Sequence, residues 1–430
     1  MTPVATRLEG KGPETLLEKA RWSPYFLPDG DHFLFAAYSP RSERRGIYVG
    51  SLDSNESKRL LGDYSSVVYA PPGYLLFLRQ WTLMAQPFDA SRLQLIGEPL
   101  PIADQLTVTG TEFRGAFSVS ETGVLTYSSG PNLRELVWFN RAGQEVGRVG
   151  TPDAYDQPAL SPDGNSVAVR NPNPLFGAFD VWLVDVSRGT RSRFTADPVW
   201  TDAHIWSPDG SRIAFSSPRN GNWDLYQKTT SAMAQEETLL QSNEDKFTHD
   251  WSPDGRFIIY STLPAERGPA LWVLPLFGDR QPIRFSEPKF NAVLGRFSPN
   301  GRWLAYLSDE SGAHEWEVYV RPFPASAGVW PVSRGAGTLP KWRRDGKELF
   351  YIAPDGKLMA VEVATEGTFL AGTPRTLFQT HGWGFFGPPD YAVASDGQRF
   401  LFAAPPAEAA SLTIRVVVNW PAILKKARLQ

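Results

Sequence analysis

The sequence predicts an all-β fold, a single β-propeller of about nine four-stranded blades. Three observations carry that expectation. The tetrapeptide SPDG or a relative of it recurs with turns at Asp163, Asp209, Asp254, Asn300 and Asp345, which stand 46, 45, 46 and 45 residues apart; a period near 45 residues suits one propeller blade. Each turn is followed by short apolar runs that lack the 3.6-residue spacing of a helix face. Aromatic residues make up 13% of the chain, with 37 Gly and 37 Pro, a pairing of strand formers with dense turn chemistry.

Weaker copies of the turn extend the series to nine: FLPDG at Asp29, APPG at Pro72, SVSETG at Thr122 and VASDG at Asp396. An aromatic or branched residue stands three places before the turn in most copies: Phe26, Leu160, Trp206, Trp251, Phe297, Trp342 and Val393. In the turn, Pro fixes φ, Asp bonds the local backbone and Gly supplies φ > 0. Asp163, Gly164, Asp209, Gly210, Asp254, Gly255, Asp345 and Gly346 are therefore expected to be structural. A second strand follows, as in HFLFAA, RIAFSS or FIIYST. A third comes after a polar loop (GIYVGSL, ELVWF, DVWLVDV, TIRVVV). A weaker fourth closes most units (SKRLLG, RSRFTA, ETLLQS, PRTLFQT).

The last unit, from Asp390 to Pro421, has three good strands and no clear fourth, whereas Pro13–Ala20 (PETLLEKA) has no blade before it. Pairing the two would close one ring over residues 1–430 and remove exposed sheet edges. Eight closed blades with one degenerate unit is the alternative, and Pro13–Ala20 can also belong to an upstream blade.

Composition excludes several function classes. With 42% hydrophobic and 21% charged residues the chain is globular, and its net charge of −3, both signs mixed, gives no field for nucleic acid. The run from Lys425 to Arg428 is too short to change this and reads as a solvated tail. No cysteine is present, so disulfides, thiolate metal sites and a Cys nucleophile are out. The N-terminal stretch lacks the basic and apolar regions of a signal peptide, and no window approaches the ~20 apolar residues of a membrane span. A cytoplasmic monomer is expected, or an extracytoplasmic one if the chain is part of a membrane-anchored kinase.

The units resemble TolB-like, WD-repeat-like propeller repeats, seen here as SPDGSRIAFSSPRNGNWDLY (Ser207–Tyr226). Longer strings are similar to the propeller region that follows the kinase domain in bacterial serine/threonine protein kinases. These are RGIYVGSLDS (Arg45–Ser54), YAPPGYLLFLR (Tyr69–Arg79), LVWFNRAGQEVG (Leu136–Gly147), DWSPDGRFIIY (Asp250–Tyr260), LWVLPLFGDR (Leu271–Arg280) and WRRDGKELFYIAPDGKLMAVEV (Trp342–Val363). The resemblance covers nearly the whole chain and implies a sensor or scaffold attached to signalling kinases. The kinase Gly-rich loop, VAIK-type lysine strand, HRD loop and DFG are all missing, so kinase activity does not carry over. Nor is there the G-x-S-x-G elbow of the hydrolases that similar propellers precede.

The candidate site lies at one mouth of the central channel. His204 and His249 stand five residues before their turn Asp in adjacent units, with Asp202 and Asp250 nearby. They can hold a metal or an anion, or they can pack between blades and bond a backbone carbonyl. Asp250, Arg296 and Lys341, four residues before the turn in three successive units, form a charge ladder that either binds a small anion or makes interblade salt bridges worth little each. The Asp-Gly turns lack DxDxDG spacing, so calcium is not expected, and no cofactor is expected. The sequence points to a non-catalytic binding, scaffold or sensor propeller for a protein or small ligand. The alternative is a hydrolase or lyase working in the channel.

Overall fold

The computed structural model describes residues 21–37, 42–109, 114–130, 133–173, 178–196, 199–231, 235–263, 268–312, 315–380, 390–406 and 413–427. Within them the chain is antiparallel sheet from end to end, apart from a short 3-10 turn at Ser42–Arg44 and a helix at Pro421–Ala427. That helix carries Lys425 and Lys426, where the sequence reading expected a tail. Pro13–Ala20 and the histidines at 314 and 381 lie outside the described residues.

All nine punctuating glycines adopt positive φ, between 66° and 84° for eight of them and 152° for Gly73. In the strong copies the serine of SPDG joins the turn to the strand behind it. Ser207 Oγ donates to Asp209 Oδ1 at 2.5 Å and accepts the Arg212 N–H at 2.9 Å. Ser161, Ser252 and Ser298 repeat both bonds with Asp163, Asp254 and Asn300 and with the residue five places on. At the fifth strong copy Arg343 replaces the serine and binds Asp345 through its guanidinium instead. Each turn links the first two strands of a sheet. Most second strands are largely buried, and Trp303–Ser308 and Glu348–Ile352 are buried at every residue, which is why they read as continuous apolar runs. Most of the fourth strands are short: Ile283–Arg284 and Trp330–Pro331 have two residues each, and all three residues of Arg191–Arg193 are exposed.

Among the described residues there are nine sheets of three to five strands, and one two-stranded ribbon. Two of the nine correct the expected grouping. The strand Arg134–Asn140, read as the third strand of the Thr122 unit, pairs with Arg399–Ala404 in a sheet ordered Glu145–Asp153, Arg134–Asn140, Arg399–Ala404, Tyr391–Val393. The strand Thr413–Val418, read as the third strand of the last unit, pairs instead with Val124–Ser129. The two third strands have exchanged sheets. Both are β-branched and aromatic, and such a strand fits any pleated, half-buried surface, so its partner is a matter of tertiary packing.

The chain divides into two compact units. One comprises residues 1–132, 173–177 and 408–430, and the other residues 133–172 and 178–407. In the first unit, Leu34, Ile47, Val49, Leu75 and Phe77 share a core between the first two sheets, and the fully buried Trp420 meets Tyr74 edge-on, 5.3 Å between centroids. In the second unit there are six sheets. Their first strands are Asp156–Leu160, Asp202–Trp206, Asp245–Trp251, Ala292–Phe297, Thr338–Trp342 and Tyr391–Val393. Each contacts the next, and Tyr391–Val393 contacts Asp156–Leu160. Apolar clusters fill the successive gaps. Val167, Val184 and Leu401 lie in one cluster and Phe350, Tyr391 and Phe402 in another, so the composite sheet is wedged on both faces.

Candidate functional site

The first strands of the second unit are not regular. Their pairing with the second strands slips between Asp156 and Ala159, Asp202 and Ile205, Thr248 and Asp250, Val293 and Arg296, and Thr338 and Lys341. In four of the five the bulge holds a non-glycine residue at positive φ: Gln157 at 49°, Ala203 at 51°, Leu294 at 54° and Leu339 at 54°. Each of these stands six places before its turn Asp or Asn. A left-handed residue without glycine costs of order 1–3 kcal/mol and marks a place worth a functional hypothesis; a bulge re-aims the side chains that follow it. Here His204 follows Ala203 directly, and Arg296 and Lys341 stand two places after Leu294 and Leu339.

His204, His249, Asp202, Asp250, Arg296 and Lys341 all line one cavity of about 540 Å3. His204 is 6% exposed and its Nε2 lies 3.2 Å from the Ala168 carbonyl of the neighbouring sheet. That contact makes Nε2 the protonated nitrogen and leaves Nδ1 an acceptor. Burial pulls its pKa down, against the Ala168 bond and the Asp202 charge. His249 is 7% exposed, and burial, with the Arg296 and Lys341 charges, pulls it down to about 3. Both rings are therefore neutral imidazoles near neutral pH.

Asp250 accepts the Phe297 N–H at 2.8 Å across the gap between sheets. Burial pushes its carboxyl up, against the pull of Arg296. Arg296 donates to the His249 carbonyl. Lys341 pairs with Asp390 at 3.3 Å, and burial and Arg296 hold its pKa below the usual lysine range. Asp202 is held by Arg170, Nη1 to Oδ2 2.6 Å, and the same guanidinium reaches Asp156 at 2.6 Å through Nη2. Indole rings complete the wall: Trp206 Nε1 donates to the Ala159 carbonyl at 2.9 Å and Trp342 Nε1 to the Arg296 carbonyl at 3.0 Å.

Sequence reasoning missed Asp390 and Arg170. Asp390 does not share the offset of Asp156 and Asp202, which both stand seven places before their turn Asp, since it stands six before Asp396. Arg170, at the end of the apolar string SVAVR, gave no signal, because its partners lie on two other strands. Among the described residues no group of three or more His, Asp or Glu can hold a metal ion, so the metal option for His204 and His249 finds no ligand set.

Repeated four-stranded meanders with punctuated first hairpins define a β-propeller protein, with a polar cavity among the first strands of its second unit. No known family model matches the chain. A relative of it is an uncharacterised protein of Agrobacterium fabrum, 25% identical over 206 residues, which span 45% of this chain and 68% of that one. Similar solved structures include TolB of Acinetobacter baumannii, 17% identical, covering 82% of each chain at a TM-score of 0.43. Another is an oligogalacturonate lyase of Vibrio parahaemolyticus, 11% identical, covering 68% of this chain and 96% of that one at 0.45. Among the described residues no helix is long and apolar enough to cross a membrane.

Proposed function

We propose that this protein is a binding propeller whose ligand seat is the cavity among the first strands of residues 133–407, which form a six-bladed ring. One observation carries the reading. His204 Nδ1, His249 Nε2 and Arg296 Nε are buried without a hydrogen-bond partner among the described residues, and all three side chains line that cavity. Buried polar atoms are paired in the great majority of cases, and an unpaired one costs about 1–3 kcal/mol. Three around one cavity are what a site waiting for a polar ligand looks like, and the volume falls in the range of small-molecule pockets.

The role is recognition rather than catalysis. The His204 imidazole is oriented by a main-chain carbonyl and not by a carboxylate, and burial keeps His249 neutral far below the range in which a general base works. The strings shared with kinase-associated propellers support a sensor or scaffold role as the fuller form of this reading, with a protein partner receiving the signal.

The test is a thermal-shift screen of the full chain against metals, nucleotides, sugars, organic acids and peptides, repeated on Ala159→Phe, which fills the cavity from a small residue in its wall. A hit that raises the melting temperature of the wild type and not of A159F supports the reading. A hit that stabilises both equally puts the seat elsewhere, and turnover of the hit contradicts the non-catalytic role.

A further inference from the structure

The residues four places before each turn form a girdle around the cavity, one from each sheet of the second unit. In the order in which the sheets touch, they are Ala392, Ala159, Ile205, Asp250, Arg296 and Lys341. The first three are apolar and the last three charged, so this row of the wall is apolar on one side and ionic on the other, with Asp202, His204 and Asp390 beside the apolar residues. In the sequence only the ionic residues stand out, because an alanine repeated at an equivalent place attracts no attention.

The hydrogen-bond donors of the ionic half are not all matched internally. Each carboxylate at the cavity is already engaged: Asp202 by Arg170, Asp390 by Lys341, and Asp250 by the Phe297 N–H. Arg296 is different. Among the described residues its guanidinium makes no salt bridge, its Nη1 bonds only the His249 carbonyl, and its Nε is buried without a partner. Asp250 lies near enough to feel its charge, but no carboxylate bonds the guanidinium, and a planar fork of N–H donors is matched by a planar pair of oxygens. Beside it, the Lys341 ammonium adds a second positive charge. The neutral imidazole of His249 adds a polar edge that brings no competing negative charge.

From this division, and resting on the reading of the cavity as a ligand seat, we infer that the natural ligand is a small organic monocarboxylate with an apolar body. Its carboxylate sits on Arg296 beside Lys341, and its body lies against Ala392, Ala159 and Ile205. Inorganic phosphate or sulfate satisfies the guanidinium and leaves the apolar half against water. A neutral apolar molecule leaves Arg296 unpaired.

Calorimetric titration of the full chain with benzoate, benzamide and inorganic phosphate separates these cases, using wild type, Arg296→Gln, Lys341→Gln and Ile205→Ser. The inference predicts that benzoate binds the wild type, with benzamide and phosphate each at least about tenfold weaker. Affinity for benzoate falls about tenfold or more in R296Q and about fivefold in I205S. Should R296Q fail to fold, K341Q reports on the same ionic half and must weaken benzoate as well. Benzamide or phosphate binding as tightly as benzoate, benzoate indifferent to R296Q (or to K341Q in its place), or no benzoate binding overturns the inference. A ligand of another class that A159F excludes would overturn it while leaving the cavity as the seat; a ligand that A159F does not affect would overturn both.

Discussion

Arg170 and Asp202 meet across the gap between two sheets, guanidinium to carboxylate at 2.6 Å, with the arginine side chain 1% exposed. The second fork of the same guanidinium holds Asp156 on its own sheet, and its Cζ lies 4.5 Å from the centre of the Phe179 ring. One buried cation thus ties two blades and fixes an acid at the rim of the cavity. Arg170→Met keeps the volume and leaves two carboxylates without their cation. Removing one partner of a buried ion pair costs about 3–5 kcal/mol. Urea unfolding of R170M should show that loss; a variant within 1 kcal/mol of wild type would mean the carboxylates find water or another cation.

Glu348 is the counterpart on the other side of the unit. It is buried and receives Arg141 at 2.7 and 3.0 Å, Arg343 at 2.7 Å and Arg375 at 2.8 Å. Arg141 comes from the hairpin that belongs to the composite sheet, so this carboxylate also pins the two distant chain segments together. Burial pushes its pKa up, but the hydrogen bonds from Arg141 and Arg343 outweigh that and hold it below the usual glutamate range. A depressed carboxylate contributes stability above its unfolded pKa and loses it as pH falls through the folded value. Glu348→Gln should therefore lower the melting temperature at pH 7 and flatten its decline below about pH 4. A parallel decline in both proteins would assign the acid sensitivity elsewhere.

The buried histidines lose stability in the same direction, as pH falls, but over a higher window. With His249 at about 3 in the folded chain and near 6.5 unfolded, the unfolded state binds the extra proton between those values. Stability from this group is whole above about pH 6.5 and falls by up to about 1.4 kcal/mol per pH unit below it. In proton NMR the His249 ring resonances should stay flat from pH 8 to 5. A midpoint near 6.5 would mean the ring is solvated, and the neutral polar edge assigned to the cavity would be lost.

Gly210 and Gly255 occupy equal places, at φ of 71° and 74°. A Cβ in that region costs about 1–2 kcal/mol, and neither position has a backbone neighbour that would add a clash. Gly210→Ala and Gly255→Ala should be destabilised alike in urea unfolding. Unequal losses would show that the turns only look equivalent.

What was legible in the sequence was local. The Ser-Pro-Asp-Gly turn needs only its own residues, and so its nine places, the apolar second strands and the weaker fourth strands could all be read from the chain. The grouping of the six site residues followed from equal offsets to that turn. Partner choice was not legible: Arg134–Asn140 and Thr413–Val418 carry the same strand chemistry, and nothing within either string says that they exchange sheets. The bulge was hidden too, because Gln157, Ala203, Leu294 and Leu339 are not residues that announce a positive φ. Arg170 was hidden for a third reason, since its role exists only where two sheets face each other.

The account stands or falls on where a bound molecule sits. A crystal structure of the chain with the tightest ligand from the screen measures this directly. The molecule should lie between Arg296 and Ile205, with a polar group within hydrogen-bond distance of the Arg296 guanidinium. A ligand seated on an outer strand, or anywhere in residues 21–130, with the cavity holding water alone, would contradict it.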